Sequence, residues 1–502
     1  MKVLLLNLPS PPGKNIERDF AGGFGVLGSR SSRKEYGHDL DKSIALPPLM
    51  EGYAAAVTES KGFEVRVLDA QVRQIGMKSI LEEVADGGYG LVVSRPCLPS
   101  FDEDIGLIRR MSRQNSETKM AVWGTTSYAY LDELVGKAVD YALLGELDQS
   151  LPGLCEVLEG RDSFGPGSGV VYRSNGEIVR IPPGRPTDDL DSLPSPAYEK
   201  LDMDLYYDHG KIEMVKSKLG RKFFTVQSSR GCPYGCEYCP YVVEFGTKWR
   251  ELTPGKTVDE IQYLVDKFSI EAIWFRDPTW NFNVERAMTI CQEIISRDIG
   301  IVWRAEMRAD LVTRELAVAM KEAGCVNAQL GLETGSERLL KQKGKKGAGL
   351  GRIREGFRAL SMASVPITAN VMVGLPGDSW TVVRETARVL DDLDPYRVNV
   401  AFLVPYPGTK IYDELLDRGW LKTKSRSKIA GEKPVISYDG FSSEDIILAR
   451  RYLLDRSRGK EKFRRLLRNL RNGQIDKVVD DLGWIAQEPR ISRRVDEGDG
   501  EV

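Results

Sequence analysis

Short apolar runs alternate with amphipathic stretches twice along this chain, and that alternation restricts its fold more than any other feature. Between residue 1 and about 160, candidate strands at Lys2–Asn7, Glu64–Asp69, Leu91–Ser94, Met120–Gly124 and Tyr141–Leu144 are separated by candidate helices. The helices fall at Pro48–Lys61, Lys78–Ala85, Asp102–Arg113 and Leu131–Val139. Strictly alternating strands and helices predict an α/β fold, a parallel sheet covered on both faces, with ligands at the carboxyl ends of the strands. A second block runs from Phe223 to about Trp420, with strands at 223–229, 272–277, 301–307, 327–333, 367–374 and 397–404. Its helices fall near 257–268, 283–297, 312–323, 352–363 and 379–393. Residues 161–215, rich in Gly, Pro, Ser and Asp, read as a linker crossing between the blocks. The expected organisation is therefore 1–160, linker 161–215, 216–425, and a polar helical region over 426–502 with a frayed acidic tail.

Composition narrows the class. A chain of 502 residues has room for two or three domains, and 41% hydrophobic with 29% charged residues is that of a globular protein. A net charge of −2 argues against nucleic acid as a whole-surface partner. Cys97, Cys155, Cys291 and Cys325 are scattered without a disulfide pattern, which fits a reducing cytoplasm. The start Met-Lys-Val-Leu-Leu-Leu breaks at Asn7-Leu-Pro, so it reads as a buried first strand and not as a signal segment. No segment has the apolar length of a membrane span.

Chemistry concentrates in Arg230-Gly-Cys-Pro-Tyr-Gly-Cys-Glu-Tyr-Cys-Pro240, where Cys232, Cys236 and Cys239 form a C-x3-C-x2-C triplet directly after a strand. Three thiolates at this spacing can hold three irons of a four-iron cluster, leaving the fourth open to a substrate. Gly231, Pro233 and Gly235 let the chain curl, and Tyr238 is suited to shielding the cluster. The alternatives are a zinc knuckle or buried cysteines without ligand duty. Structural zinc wants four ligands, whereas the triplet stands alone and both histidines, His38 and His209, lie elsewhere.

The triplet and the strand leading into it resemble the signature of the radical S-adenosylmethionine (SAM) superfamily. That resemblance implies a partial (β/α)6 TIM barrel holding a 4Fe-4S cluster, with SAM chelating the open iron through its amino and carboxylate groups. SAM offers an ammonium and a ribose diol that want carboxylates, a carboxylate that wants donors, and an adenine that wants an apolar shelf. Polar residues stand at the strand ends where these would be met, at Arg276-Asp277, Arg304 with Glu306, Gly331-Leu-Glu-Thr-Gly-Ser336, Gly374-Leu-Pro-Gly-Asp378 and Pro405-Tyr406. By resemblance, Asp277 meets the methionine amino group and Glu333, with Ser336 in its motif, the ribose or carboxylate. Val373, Gly374 and Tyr406 fall where adenine packs, and Tyr238, Arg304 and Glu306 complete the SAM site. Taken singly, each carboxylate is equally a cap for the following helix.

The first block resembles the cobalamin-binding, Rossmann-like (flavodoxin-like) domain fused ahead of many such enzymes, through Asn7-Leu-Pro, Pro47-Pro-Leu-Met-Glu-Gly-Tyr53, Gly62–Ala70 and Asp140–Glu146. Residues implied to face that cofactor are Asn7, Ser94, Arg95, Cys97, Gly124, Thr125, Thr126, Gly145 and Glu146; the alternative is ordinary turns between strand and helix. No Asp-x-His-x-x-Gly occurs, so no histidine ligand to cobalt is expected. Gly23-Phe-Gly-Val-Leu-Gly28 matches a dinucleotide fingerprint but follows several prolines and opens no helix, so it is set aside.

The resemblance implies one-electron cleavage of SAM, hydrogen abstraction by a 5′-deoxyadenosyl radical from an unactivated carbon, and methyl transfer from cobalamin. Ring closure or carbon–carbon joining without methyl transfer is the nearest alternative, and a non-catalytic cobalamin or iron–sulfur sensor comes from another class. A methylthiotransferase would need ligands for a second cluster. An electron donor such as flavodoxin or ferredoxin is implied as partner, with a small-molecule or lipid substrate. Between Arg450 and Arg471 ten cations surround an apolar face of Phe463, Leu466, Leu467 and Leu470. This helix suits contact with a membrane surface or a lipid, or packing on the barrel with a solvated outer face.

Overall fold

In the computed structural model, residues 1–27, 46–208, 221–343, 347–430 and 433–471 are described. His38, His209, Gly28 and the acidic tail lie outside them, as do the side chains of Phe463, Leu466, Leu467 and Leu470.

The first sheet contains β1 (Lys2–Asn7), β2 (Glu64–Asp69), β3 (Leu91–Ser94), β4 (Lys119–Val122) and β5 (Tyr141–Leu143). These are parallel and ordered 2-1-3-4-5, with α1 (Leu49–Ser60), α2 (Met77–Asp86), α3 (Phe101–Gln114) and α4 (Leu147–Leu158) around them. Val3 and Leu5 point to one buried cluster, Leu4 and Leu6 to the other, as expected of a strand covered on both faces. Order 2-1-3 makes the carboxyl ends of β1 and β3 the switch point, where a ligand crevice opens. The helix expected over 131–139 is one turn, Leu131–Leu134, because the chain turns at Gly136 with φ +73°.

Residues 161–215 are not only a linker. Ser168–Ser174 (β6) and Glu177–Pro183 (β7) form a hairpin that extends the first sheet antiparallel from β5. The signal was Asn175-Gly176, both at positive φ (48° and 85°), the residues a two-residue type I′ turn requires.

The second sheet carries six parallel strands in chain order: β9 (Arg221–Val226), β10 (Ala272–Phe275), β11 (Val302–Met307), β12 (Cys325–Glu333), β13 (Ile367–Val373) and β14 (Arg397–Phe402). A two-residue strand, β8 (Tyr207–Asp208), pairs antiparallel with β9. The intervening helices are α5 (Pro254–Phe268), α6 (Val284–Ser296), α7 (Arg314–Glu322), α8 (Leu350–Met362) and α9 (Trp380–Leu393). Side-chain caps start four of them: Thr253, Asn283, Thr313 and Ser379 each accept from a backbone N–H in the first turn. The result is an open half-barrel. One face of the first sheet and the half-barrel share a single hydrophobic core, so the two blocks pack as one body.

The last helix, α10 (Ser443–Arg471), buries Ile446, Ala449, Tyr452 and Leu453 against the half-barrel. Two of its cations are engaged there: Arg450 donates to the Val400 carbonyl at 2.9 Å and Arg456 pairs with Asp391 at 2.7 Å. Among the described residues no helix is long and apolar enough to cross a membrane.

Helix–barrel closeness is set by Gly356 in α8, where an added Cβ would lie 1.9 Å from the Ala309 carbonyl oxygen. Gly356→Ala is expected to lower stability by roughly 1–3 kcal/mol, the usual range for overpacking, measurable by denaturant unfolding.

Candidate functional site

The cysteine triplet lies on a loop between β9 and α5, at the carboxyl end of the first half-barrel strand. A two-stranded ribbon pairing Ser229 with Glu251 and Arg230 with Arg250 forms the neck of this loop. Gly231 follows with φ +80°, and a Cβ there would stand 2.0 Å from the Lys248 carbonyl oxygen, so only glycine passes the neck. The Cys232 N–H donates to the Gly246 carbonyl at 3.2 Å, and that of Cys239 to the Cys236 carbonyl at 3.0 Å. Cys232 Sγ lies 3.9 Å from Thr279 Oγ1 on the loop after β10. Burial, then the neighbouring Cys236 and Cys232, pushes the Cys239 thiol up to about 12. A thiolate set in that environment calls for compensating positive charge, which an iron cluster supplies. Among the described residues no group of three Cys, His, Asp or Glu converges on a single metal ion; a cluster instead takes each thiolate on a different iron.

Strand-end residues divide into two groups. Glu333 sits at a bulge of β12 with φ +62°, a left-handed conformation that a glutamate adopts at some strain. Its charge is felt by Tyr238 and Cys239, so it faces the cysteine loop. Tyr238 is engaged with Cys236, close enough to act as a cover. Glu306 lies 3.8 Å from Arg276, and the Arg304 guanidinium stacks 3.2 Å from the Trp274 ring centroid.

The others are engaged within the protein. Asp277 is wholly buried and accepts from the Ser228 N–H at 3.2 Å and from the Ser228 and Ser229 hydroxyls. It holds the root of the cysteine loop and does not line the cleft. The Gly374 N–H donates to Asp378 at 2.8 Å and its carbonyl accepts from Tyr438 at 2.6 Å. The Tyr406 ring is stacked on Phe24 with centroids 5.0 Å apart. Ser336 and Val373 are buried beside these groups.

Phe24 belongs to a strap, residues 18–25, that sequence reasoning did not anticipate as a site element. It crosses the carboxyl ends of β3 and β4. Arg18 forms a buried two-pronged pair with Asp104 at 2.9 Å, Asp19 pairs with Arg95, and Thr125 Oγ1 donates to the Gly22 carbonyl at 2.7 Å. The Arg95 guanidinium also lies 4.7 Å from the Trp123 ring. Cys97 donates its N–H to Asp104, and a Cβ on Gly25 would touch its sulfur. A Cβ on Gly124 would meet Arg95. Several of the first-sheet residues expected at a cofactor are thus engaged by the protein itself. Asn7 donates to Asp69 at 3.0 Å, and the Gly145 carbonyl accepts from Tyr128 at 2.8 Å. Ser94 Oγ and Thr126 Oγ1 are buried hydroxyls without a protein partner. The Gly-x-Gly run was the signal for the strap: Ala21, Gly22, Gly23 and Gly25 all have positive φ.

Between strap, α1 and half-barrel lies a cavity of about 260 Å³. Cys239, Tyr241 and Glu244 come from the cysteine loop, Arg95 from β3, Arg276 and Glu306 from the half-barrel. Burial raises the Glu244 carboxyl to about 7.

Glu146 is engaged by two arginines of the cysteine-loop neck. Its carboxylate accepts from Arg230 Nη1 at 2.6 Å and from Arg250, and Asp148 accepts from Arg230 at 2.8 Å. All four side chains are buried.

Residues 226–390 match the radical SAM superfamily. That stretch is a radical SAM domain. Ahead of the half-barrel the chain carries a Rossmann-like parallel sheet. It is 26% identical over 404 residues to an uncharacterized methyltransferase of Pyrococcus horikoshii, covering 80% of this chain and 85% of that one. It is 22% identical to the anaerobic magnesium-protoporphyrin IX monomethyl ester cyclase of Rubrivivax gelatinosus, over 74% of this chain and 67% of the cyclase. Among solved structures, the radical SAM methyltransferase TsrM of Kitasatospora setae, with cobalamin and a [4Fe-4S] cluster bound, superimposes with a TM-score of 0.61. That match is 19% identical and covers 84% of this chain and 76% of TsrM, which shows a shared fold. The radical SAM family implies a [4Fe-4S] cluster and SAM.

Glu51 of α1 is 2% exposed, with Oε2 lacking a partner, and burial pushes its carboxyl to about 8 from 4.5, aided by Asp69 and Glu244. The folded protein therefore holds a proton there that the unfolded chain releases, and stability falls as pH rises from about 4.5 to about 8. Glu51→Gln should gain on the wild type across that window, reaching a few kcal/mol at its upper end, read from urea midpoints at several pH values.

Proposed function

We propose that this enzyme uses SAM to abstract hydrogen from an unactivated carbon and then forms a bond to that carbon, with methyl transfer as the reaction class. The observation that carries the reading is the cysteine triplet on a glycine-gated loop, facing a cavity shared with the first domain. When bound, the cluster and SAM supply a hydrogen-abstracting radical, and cobalamin supplies a methyl carrier.

The chain's own residues then have definable tasks. Cys232, Cys236 and Cys239 hold the cluster, and Tyr238 covers it. Glu333, the carboxylate turned toward the cysteine loop, is the acceptor for the SAM ribose. Arg276 and Glu306, beside the cavity, orient charged groups of SAM or substrate. Closure of the cavity by the strap excludes water from the radical site. A one-electron donor of the flavodoxin or ferredoxin kind is the implied partner.

Cobalamin belongs to the proposal with a condition. Its place is the switch-point crevice at β1 and β3, where Ser94 Oγ and Thr126 Oγ1 await partners. With the strap where it is, Asp19 pairs with Arg95, Thr125 donates to the Gly22 carbonyl and Gly25 lies against Cys97, so these residues face residues 18–25 and not an open crevice. Binding requires residues 18–25 to move away. This closure favours a second reading, ring closure or carbon–carbon joining without methyl transfer, the chemistry named for the cyclase relative.

For a lipid substrate the cavity is mixed: Arg95, Glu244, Arg276 and Glu306 stand among apolar Phe20, Leu46, Leu49, Met50 and Phe245, and in α10 Arg450 and Arg456 are engaged with the half-barrel while Arg451 is exposed. Proposed contact of 450–471 with a membrane surface rests on side chains beyond those described.

Anaerobically reconstituted protein with dithionite and SAM is expected to release 5′-deoxyadenosine, and Cys232→Ala, Cys236→Ala and Cys239→Ala each to abolish it with loss of iron. Release undiminished in the three variants would overturn the assignment. Corrin retained after expression with cobalamin supplied supports methyl transfer; its absence leaves the second reading.

A further inference from the structure

The neck of the cysteine loop presents an electrostatic problem. Arg230 and Arg250 are directly opposite each other on the two-residue ribbon. Like charges at opposed ladder positions repel, and these two are 2% and 3% exposed, so water does not screen them. The answer comes from the other sheet. Glu146, at the start of α4, accepts from both arginines, and Asp148 from Arg230. Arg230 lies over the Tyr53 ring at 4.8 Å and Arg250 donates to the Thr187 carbonyl at 3.0 Å. The carboxylates that accept from these two arginines therefore come from outside the half-barrel, while Arg286 of α6, paired with Glu251 at 3.0 Å, and Asp277 hold the rest of the ribbon from within it.

We propose that Glu146 and Asp148 are positioning residues for the cluster: acting through Arg230 and Arg250, they set the geometry of the cysteine loop and hence of the open iron that SAM chelates. The inference rests on the radical SAM reading above. Cys232 is two residues from Arg230, and Gly231 between them has no room to adjust. A shift at the neck is thus passed to the first ligand. The first domain becomes part of the cluster site without contributing a ligand to it.

The test uses full-length, anaerobically reconstituted protein and the electron paramagnetic resonance spectrum of the reduced cluster, titrated with SAM. Glu146→Gln and Asp148→Asn should retain iron at the wild-type level but raise the SAM concentration at half-maximal spectral shift roughly tenfold, as expected for one charge-assisted hydrogen bond. Arg230→Lys, which keeps the charge but not the fork, should fall between. Gly356→Ala supplies the control for instability alone: it should lower the unfolding midpoint and leave the SAM titration in place. Unchanged titrations in both carboxylate variants, or an equal shift in Gly356→Ala, would overturn the inference. Should Glu146→Gln fail to accumulate, Arg230→Lys decides by the same criterion. A wild-type spectrum indifferent to SAM would sink the radical SAM reading itself, a different result.

Discussion

Two arginines and two carboxylates buried across one seam hold this architecture together. Removing four charged groups from water is unfavourable, and only their mutual pairing offsets it. Arg230 and Arg250 cannot stay buried without Glu146 and Asp148, nor can those carboxylates without the arginines. The first sheet and the half-barrel are consequently not interchangeable modules joined by a linker. The shared apolar core gives their association its bulk, and the ion quartet gives it a register, because hydrophobic contact alone is non-directional.

From that register the rest follows. With the β5–α4 turn fixed against the neck of the cysteine loop, the carboxyl ends of the first sheet face the mouth of the half-barrel. The strap fills the space between. Its run of positive φ angles lets it pass close to Pro240, where a Cβ on Gly22 would stand 2.8 Å from the carbonyl oxygen. Arg95 on one side and Tyr406 on the other are held by the same short segment, through Asp19 and Phe24. Access to the surfaces of both sheets is therefore linked through one element.

Much of this was legible in the sequence, and the reasons differ by element. The eleven main parallel strands are runs flanked by amphipathic helices, and periodicity finds such segments because burial on both faces leaves few alternatives. The cysteine triplet was legible because its spacing is covalent and local. The hairpin after residue 167 was not found, although Asn175-Gly176 announced it, because the surrounding Gly and Pro content reads as loop. The strap and the quartet were beyond reach for another reason. Arg230, Glu146 and Arg250 are separated by up to 104 positions, and nothing in their local patterns says that they meet.

Strand-end carboxylates show how far position alone can be taken. Asp277 and Glu333 both end strands of the half-barrel, and both fit the same expectation on sequence. They diverge through their neighbours. Ser228 and Ser229 reach Asp277 from the stretch after β9, so it is held within the scaffold, with Arg286 the cation that acts on it. Glu333 instead sits on a bulge that turns it out of the ladder, in a backbone conformation that is retained only where surroundings enforce it. The bulge is what distinguishes them: a regular strand would alternate side chains strictly between barrel interior and helix layer, and one extra residue re-aims Glu333 toward the cysteine loop. A carboxylate's part in such a site is thus decided less by its place in a motif than by where the backbone of its strand aims it.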